Sequence, residues 1–358
     1  AFKAARHWRK DQTLATDKIT VRGAGIFGLS IAWVLTQRGA DVQVVDPHGV
    51  GAGASGGIVG ALAPHVPENW NPKKQFQLES LLMAEAFWAQ VEKAGGRSAG
   101  YARSGRVQPI ADSAALALAK ARSDSAKDLW GDAAHWKVRP IANREWCAPS
   151  ATGLEIHDTL SGRIHPKQAC AALAAALQER GIEVIADGPE TPLTVHATGV
   201  AGLEALNSDH PRLVGAGIKG QAALFDYASP TAPQLFVDTL HIIPHADGTT
   251  AIGSTTERDY DDPASTDAQL DDIIARARAA VPALADAPVL ARWAGLRPRS
   301  RSRAPMLGAW PDRPGHFIAN GGFKIGFGMA PKVAHVMADL ILEGRDSIPP
   351  GFEVAASL

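Results

Sequence analysis

The chain has 358 residues, 46% of them hydrophobic, 20% charged and 6% aromatic, with 36 Lys plus Arg against 37 Asp plus Glu and a formal net charge of -1. That length gives a prior of roughly two domains; the composition excludes a disordered chain. The charge balance excludes a global field for a polyanion, so no general nucleic-acid binding is expected. Cys147 and Cys170 form neither a disulfide framework nor a zinc pattern, and no long apolar run or secretory signal is present, so a cytoplasmic protein without a membrane span is expected.

In chain order, Lys3, Arg6, Arg9 and Lys10 fall on one solvated helix face of a basic lead that is open to processing. Lys18 to Asp46 reads as strand, glycine turn, helix, glycine stop and strand, a βαβ unit whose β-branched ends suit a buried parallel sheet. Gln75 to Lys93 predicts a long amphipathic helix ending at Gly95-Gly96, and a second helical pattern spans Ala111 to Trp130. Lys167 to Arg180 predicts an alanine-rich helix, followed by strands at Ile182 to Ile185 and Leu193 to Thr198. Strands begin again at Ile218 to Phe225. Leu235 to Pro244 and Thr249 to Ser254 predict a hairpin turning at Ala246-Asp247-Gly248. Thr266 to Val281 predicts a helix capped by Thr266 or Asp267, Phe317 to Ala319 a strand, and Pro331 to Glu343 a final helix. Together these predict an α/β protein. Its Rossmann-like nucleotide-binding domain is discontinuous (18–95, 158–218 and 290–346), interleaved with a mixed or antiparallel-sheet substrate domain (96–157 and 219–289).

Gly23-Ala24-Gly25-Ile26-Phe27-Gly28 is a GxGxxG between a strand and a helix, where glycines give a tight turn, access to a pyrophosphate and close helix packing. Asp46 closes the next strand 23 residues after Gly23, placed to accept hydrogen bonds from a ribose. The motif predicts a dinucleotide without choosing between NAD and FAD. Gly51 to Ala61, Ala197-Thr198-Gly199 and Gly321 to Gly328 are three further small-residue approaches, more than an NAD site needs.

These stretches, with SGRIHP, GIKGQ, IIPHADGTTAIGST and WAGLRPRSRSRAPMLG, occur in an order that resembles the D-amino-acid oxidase superfamily of FAD enzymes, closest to its glycine oxidase and sarcosine oxidase branch. The resemblance implies FAD, held by Gly23, Gly25, Ile26, Phe27, Gly28, Asp46, Ser55, Gly56, Gly57, Ile58, Gly60, Ala61, Thr198, Gly199, Gly295, Arg297, Gly322, Phe323, Lys324, Ile325, Gly326 and Phe327. It implies oxidation of the C–N bond of a small amino acid or secondary amine, by hydride transfer to flavin N5, hydrolysis of the imine and reoxidation by oxygen. Arg297 of GLRP matches the arginine that holds the substrate carboxylate, and bidentate pairing suits that role. Lys324 matches a position often His or Arg near the flavin. His241 replaces a substrate-site tyrosine, which departs from glycine oxidase. The N-terminus of the final helix would face the flavin N1–C2 edge, where charge develops on reduction.

No cysteine lies between Arg292 and Met329, so noncovalent FAD is expected, and no lysine lies between Gln221 and Phe323 to match the one associated with oxygen activation. No metal is expected. An amino-acid dehydrogenase passing electrons to a quinone or carrier, a tRNA-modifying FAD oxidase and a noncatalytic flavin subunit remain alternatives. Substrate identity and oligomeric state stay open.

Overall fold

A computed structural model describes residues 18–142 and 145–358; the basic lead, with its expected helix face, lies outside the described residues. One sheet has six strands, in the spatial order Met306–Ala309, His316–Asn320, Leu193–His196, Ile19–Arg22, Val42–Val45 and Val184–Ile185. Its pairs are parallel except the Met306–Ala309 edge. Parallel strands need crossovers, and helices supply them here. Four helices, Ile26–Gln37, Pro72–Gly95, Pro166–Gln178 and Gly326–Glu343, share one core with the sheet, including Val21, Val44, Leu29, Trp88, Leu173 and Val333. The first helix is buried at every position from Ile26 to Leu35, as an apolar helix wedged between a sheet and other helices must be.

The second sheet has eight strands, in the order Val289–Ser300, Gly215–Phe225, Thr250–Gly253, Leu240–Pro244, Gln234–Val237, Arg106–Pro109, Leu154–Asp158 and Trp136–Pro140. All pairs are antiparallel except Gln234–Val237 with Arg106–Pro109. The helix Ala268–Ala280 covers one face, packing Leu270, Ile273 and Ile274 in a core with Phe225, Ile242 and Ile252. Its N-cap is Asp267, whose side chain accepts from Gln269 N at 2.9 Å. Side chains alternate across a strand, so the partners of those core residues point to the other face, toward the glycine loops of the first sheet.

Several elements differ from the sequence reading. The run Leu235 to Pro244 is two strands, because Asp238 and Thr239 both take positive φ and turn the chain between them. The final helix begins at Gly326 and carries Pro331 inside it. The chain 290–346 does not belong wholly to the nucleotide part: Val289–Ser300 pairs antiparallel with Gly215–Phe225 through eleven residue pairs in the eight-stranded sheet. The strands Arg106–Pro109, Trp136–Pro140 and Leu154–Asp158 and the helix Gly199–Asp209 were not expected. No helix among the described residues is long and apolar enough to cross a membrane.

Because Leu29 is 0% exposed at the centre of the first core, Leu29→Ala should destabilise the protein by about 2–5 kcal/mol. Denaturant unfolding at constant m-value checks it; a loss below about 1 kcal/mol would mean that this helix does not anchor the core.

Candidate active site

The GxGxxG turn is built by close backbone approaches. Gly23 sits at φ +108°, and a Cβ there would lie 2.3 Å from the Ala197 carbonyl oxygen, while a Cβ on Gly28 would lie 1.9 Å from the Gly23 oxygen. These two glycines fuse turn, helix and neighbouring strand. Gly25 differs: an added Cβ would meet only Ser55, whose Oγ accepts from Ile26 N at 3.0 Å. No side chain of Gly25 caps the helix, so its first N–H groups face the Ser55 loop, where a diphosphate would be held. The Asp46 carboxylate accepts from Ala24 N at 2.7 Å and His48 N at 2.9 Å. A carboxylate has about four acceptor sites, which leaves capacity for a ribose hydroxyl.

The second glycine run is pinned from behind. Ala61–Leu62 pairs with Gly162–Arg163, Ile164 N donates to Gly60 O at 3.0 Å, and a Cβ on Gly60 would strike the Ile164 carbonyl at 1.7 Å. His245 contacts the Ile58 oxygen at 2.8 Å and packs against the His165 ring, with Arg163 donating to Pro244 O at 2.6 Å. The SGRIHP segment is therefore the clamp that shapes this loop. On its other side Gly57 approaches Trp293, where a Cβ would be 3.5 Å from the indole, and Val59 approaches Gly253.

Register then assembles the face opposite this loop. Trp293 pairs with Ala222, Gly295 with Gly220 and Arg297 with Ile218; Ala222 pairs with Gly253, which pairs with His241, itself opposite Phe236. One face thus carries a floor of Gly220, Gly295 and Gly253, bordered by Arg297 and His241. The Arg297 guanidinium lies over Gly220, the Trp293 indole over Gly295 and Val59 over Gly253, so the glycines admit these groups against the sheet, and the region between this face and the loop is the candidate slot in which a flat cofactor ring would lie. The glycines at 220 and 253 were not among the expected site residues; the signal was GIKGQ and IGST on alternating positions facing a strand that ends in GLRP.

Arg297 is held by donation from Nη1 to Ser254 Oγ at 2.7 Å, and from Nη2 to Thr255 O at 2.6 Å and Lys219 O at 3.2 Å; its buried Nε has no partner among the described residues. Burial draws its pKa down to about 10, partly offset by Glu257, so the guanidinium stays charged at neutral pH. Lys324 donates to Thr256 Oγ1 at 2.8 Å, and burial together with Arg297 pulls it down to about 8. His241 lies against Phe236, ring centroids 4.7 Å apart, with Nδ1 unpartnered among the described residues. Burial, with Arg106 and Lys324 adding repulsion, lowers it to about 3, which keeps the imidazole neutral. Arg106 is itself neutralised by Asp158 at 3.0 Å.

Gly322 lies against Phe27 and Gly326 against Ile26, so the uncapped start of the final helix packs beside the start of the first helix. Thr198 and Gly199 open the helix Gly199–Asp209 beside the GxGxxG turn. Elsewhere, Glu190, His196 and His316 bring one ligand atom each within 4.8 Å, a cluster the sequence reading did not find. His196 bonds His316 at 2.9 Å and Arg313 reaches Glu190 at 2.9 Å, so these groups satisfy one another.

The two-sheet fold and the glycine turn at the start of its first helix are those of a dinucleotide-binding α/β protein. Residues 18–340 match the model of the family described as FAD dependent oxidoreductase, and the chain belongs to this D-amino-acid oxidase family. It is 35% identical over 132 residues to the glycine oxidase of Pseudomonas aeruginosa, covering 37% of this chain and 36% of that one. It is 26% identical over 347 residues to the tRNA 5-methylaminomethyl-2-thiouridine biosynthesis bifunctional protein MnmC of Maricaulis maris, covering 93% of this chain and 54% of that one. The match spans about a third to a half of the length of these relatives. The crystal structure of glycine oxidase from Geobacillus kaustophilus superposes with a TM-score of 0.80 at 19% identity, over 95% of this chain and 99% of that one, which shows the shared fold.

The residues present fit FAD: the uncapped helix start after Gly25 and the acceptor at Asp46 would hold its diphosphate and ribose, with the small residues around Gly57 toward the flavin. Asp46→Ala removes the ribose acceptor and the anchor of Ala24 N, so FAD affinity should fall about tenfold or more in a fluorescence titration of deflavinated protein. Wild-type affinity in that variant would remove the role.

Proposed function

We propose that the chain oxidises the C–N bond of a small amino acid or secondary amine, with FAD held noncovalently and oxygen as the terminal acceptor. The chemistry the cofactor supplies when bound is acceptance, at flavin N5, of a hydride from the carbon next to the amine nitrogen. The observation that carries this reading is Arg297: a half-buried cation on the sheet face, its hydrogen bonds among the described residues made to neutral groups and its Nε unpartnered there. A carboxylate is the natural counter-ion for such a fork, and pairing with it fixes the adjacent carbon over the glycine floor. His241 supports the reading as a neutral partner for the substrate amine, its Nδ1, unpartnered among the described residues, offering one hydrogen bond without a repelling charge. No side chain is needed as a base when the amine arrives unprotonated. The imine leaves and is hydrolysed in water.

One observation favours a second reading. The match to the tRNA-modifying relative runs along 93% of this chain, and Arg299, Arg301 and Arg303 follow Arg297 at the end of its strand. An amine carried on a tRNA base would then be oxidised by the same site, and salt-sensitive tRNA binding by the purified chain separates this reading from the first.

Anaerobic titration of the holoprotein with glycine, sarcosine, proline and D-amino acids should bleach the flavin spectrum with at least one of them, and admitting air should restore it. Bleaching by none removes free small amino acids as substrates, whereas bleaching without return of colour in air assigns a dehydrogenase. Arg297→Ala should raise KM for a carboxylated substrate about 100-fold, in line with loss of a charge-assisted bidentate contact; an unchanged KM overturns its assignment. With methoxyacetate, a carboxylate lacking an ionisable amine, binding should be flat from pH 5 to 7, because His241 stays neutral and Arg297 charged there. It should weaken roughly two- to fivefold as pH passes about 8, where Lys324 loses the charge that adds to the local field. Dissociation constants across that range check the profile, and a flat line through pH 9 would exclude any influence of Lys324.

A further inference from the structure

Three cations surround one ring at the mouth of the slot. Arg297 Cζ lies 5.6 Å from the centroid of Phe323, Arg299 Cζ 5.7 Å and Lys324 Nζ 5.8 Å. Phe323 is fixed at φ +45° with its N–H donating to Pro298 O at 3.0 Å, so the ring is a rigid post around which the charges are arranged. None of the three makes an ion pair among the described residues. Arg297 bonds one hydroxyl and two carbonyls, Lys324 one hydroxyl, and Arg299 has neither a hydrogen bond nor a salt bridge there. Glu257, whose charge partly offsets the burial of Arg297, is shared with Lys219 and Gln221.

A single substrate carboxylate neutralises one of these charges, leaving two cations that repel each other and the substrate's own ammonium precursor. Two half-buried arginines and an exposed lysine crowded around one ring favour a ligand that supplies the counter-charge. We propose that the substrate is an amine bearing a second anionic group besides the carboxylate paired with Arg297, received by Lys324 and Arg299. This rests on the amine-oxidation reading above and narrows its substrate class to dianionic amines. Oxidation balances as before: the C–H next to nitrogen breaks, its hydride passes to FAD, the nitrogen proton goes to solvent and the second anion is unchanged.

The test is anaerobic flavin reduction of the holoprotein at pH 7 with paired amines that differ by one anionic group: sarcosine against N-(carboxymethyl)glycine, and D-alanine against D-aspartate. Apparent dissociation constants should be about tenfold or more lower for the dianion in at least one pair, with a steeper dependence on ionic strength. Lys324→Gln and Arg299→Gln should each reduce that ratio severalfold, and Lys324→Arg and Arg299→Lys should keep most of it. A ratio at or below one, or a ratio that neither neutral variant alters, overturns the proposal while leaving amine oxidation in place. Flavin that no amine reduces overturns both. Should a variant fail to fold or to retain FAD, the wild-type ratio still decides.

Discussion

A half-buried guanidinium with no ion pair among the described residues is the constraint around which the candidate site is arranged. Stripped of water, Arg297 needs its donors met, and Ser254, Thr255 and Lys219 meet them with a hydroxyl and two carbonyls, groups that carry no counter-charge. The antiparallel pairing of Val289–Ser300 with Gly215–Phe225 brings those acceptors within reach, and Gly220 leaves the space, since a Cβ there would lie 2.2 Å from the guanidinium. Replacing that glycine would therefore displace the charge itself. The ionic demand that remains is transferred to whatever enters the slot.

The second dependence is mechanical. The glycine-rich loop Gly57 to Gly60 has little intrinsic order, and its shape comes from the Gly162–His165 segment, which pairs with the Ala61–Leu62 strand after it, abuts Gly60 and carries the Arg163, His165 and His245 contacts. The nucleotide part and the substrate part meet along this clamp. Holding a flat cofactor between a rigid loop and a rigid sheet places the reacting carbon by geometry, which suits a reaction whose chemical power resides in the cofactor.

Much of this was legible in the residues. The GxGxxG turn, Asp46 at the end of the following strand, and the helix after Gly326 follow from local physics, because each requirement is met within a few residues of chain: a positive φ, a close backbone approach, an uncapped helix start. Arg297 and Lys324 were found through their surrounding motifs, and the structure brings them together beside Phe323. Illegible were the partners. Ser254, Thr255 and Thr256 are ordinary loop residues, and nothing local marks them as the acceptors for Arg297 and Lys324, 42 to 68 positions away. The strands Arg106–Pro109 and Leu154–Asp158 escaped notice because their polar residues Arg106 and Asp158 are buried as an ion pair rather than alternating toward solvent.

The sequence alone determined the dinucleotide turn, the alternation of helices and strands, and through its ordered motifs the FAD-dependent family to which residues 18–340 belong. Tertiary structure decided which sheet the strand Val289–Ser300 joins, and therefore which face Arg297 presents. It also decided that the surroundings of His241 lower its pKa to about 3 and that three cations gather around one ring with no ion pair among the described residues. The physical reason is that helix and turn propensities are settled by neighbours in the chain, whereas strand register and the burial of charge are settled by partners distant in sequence.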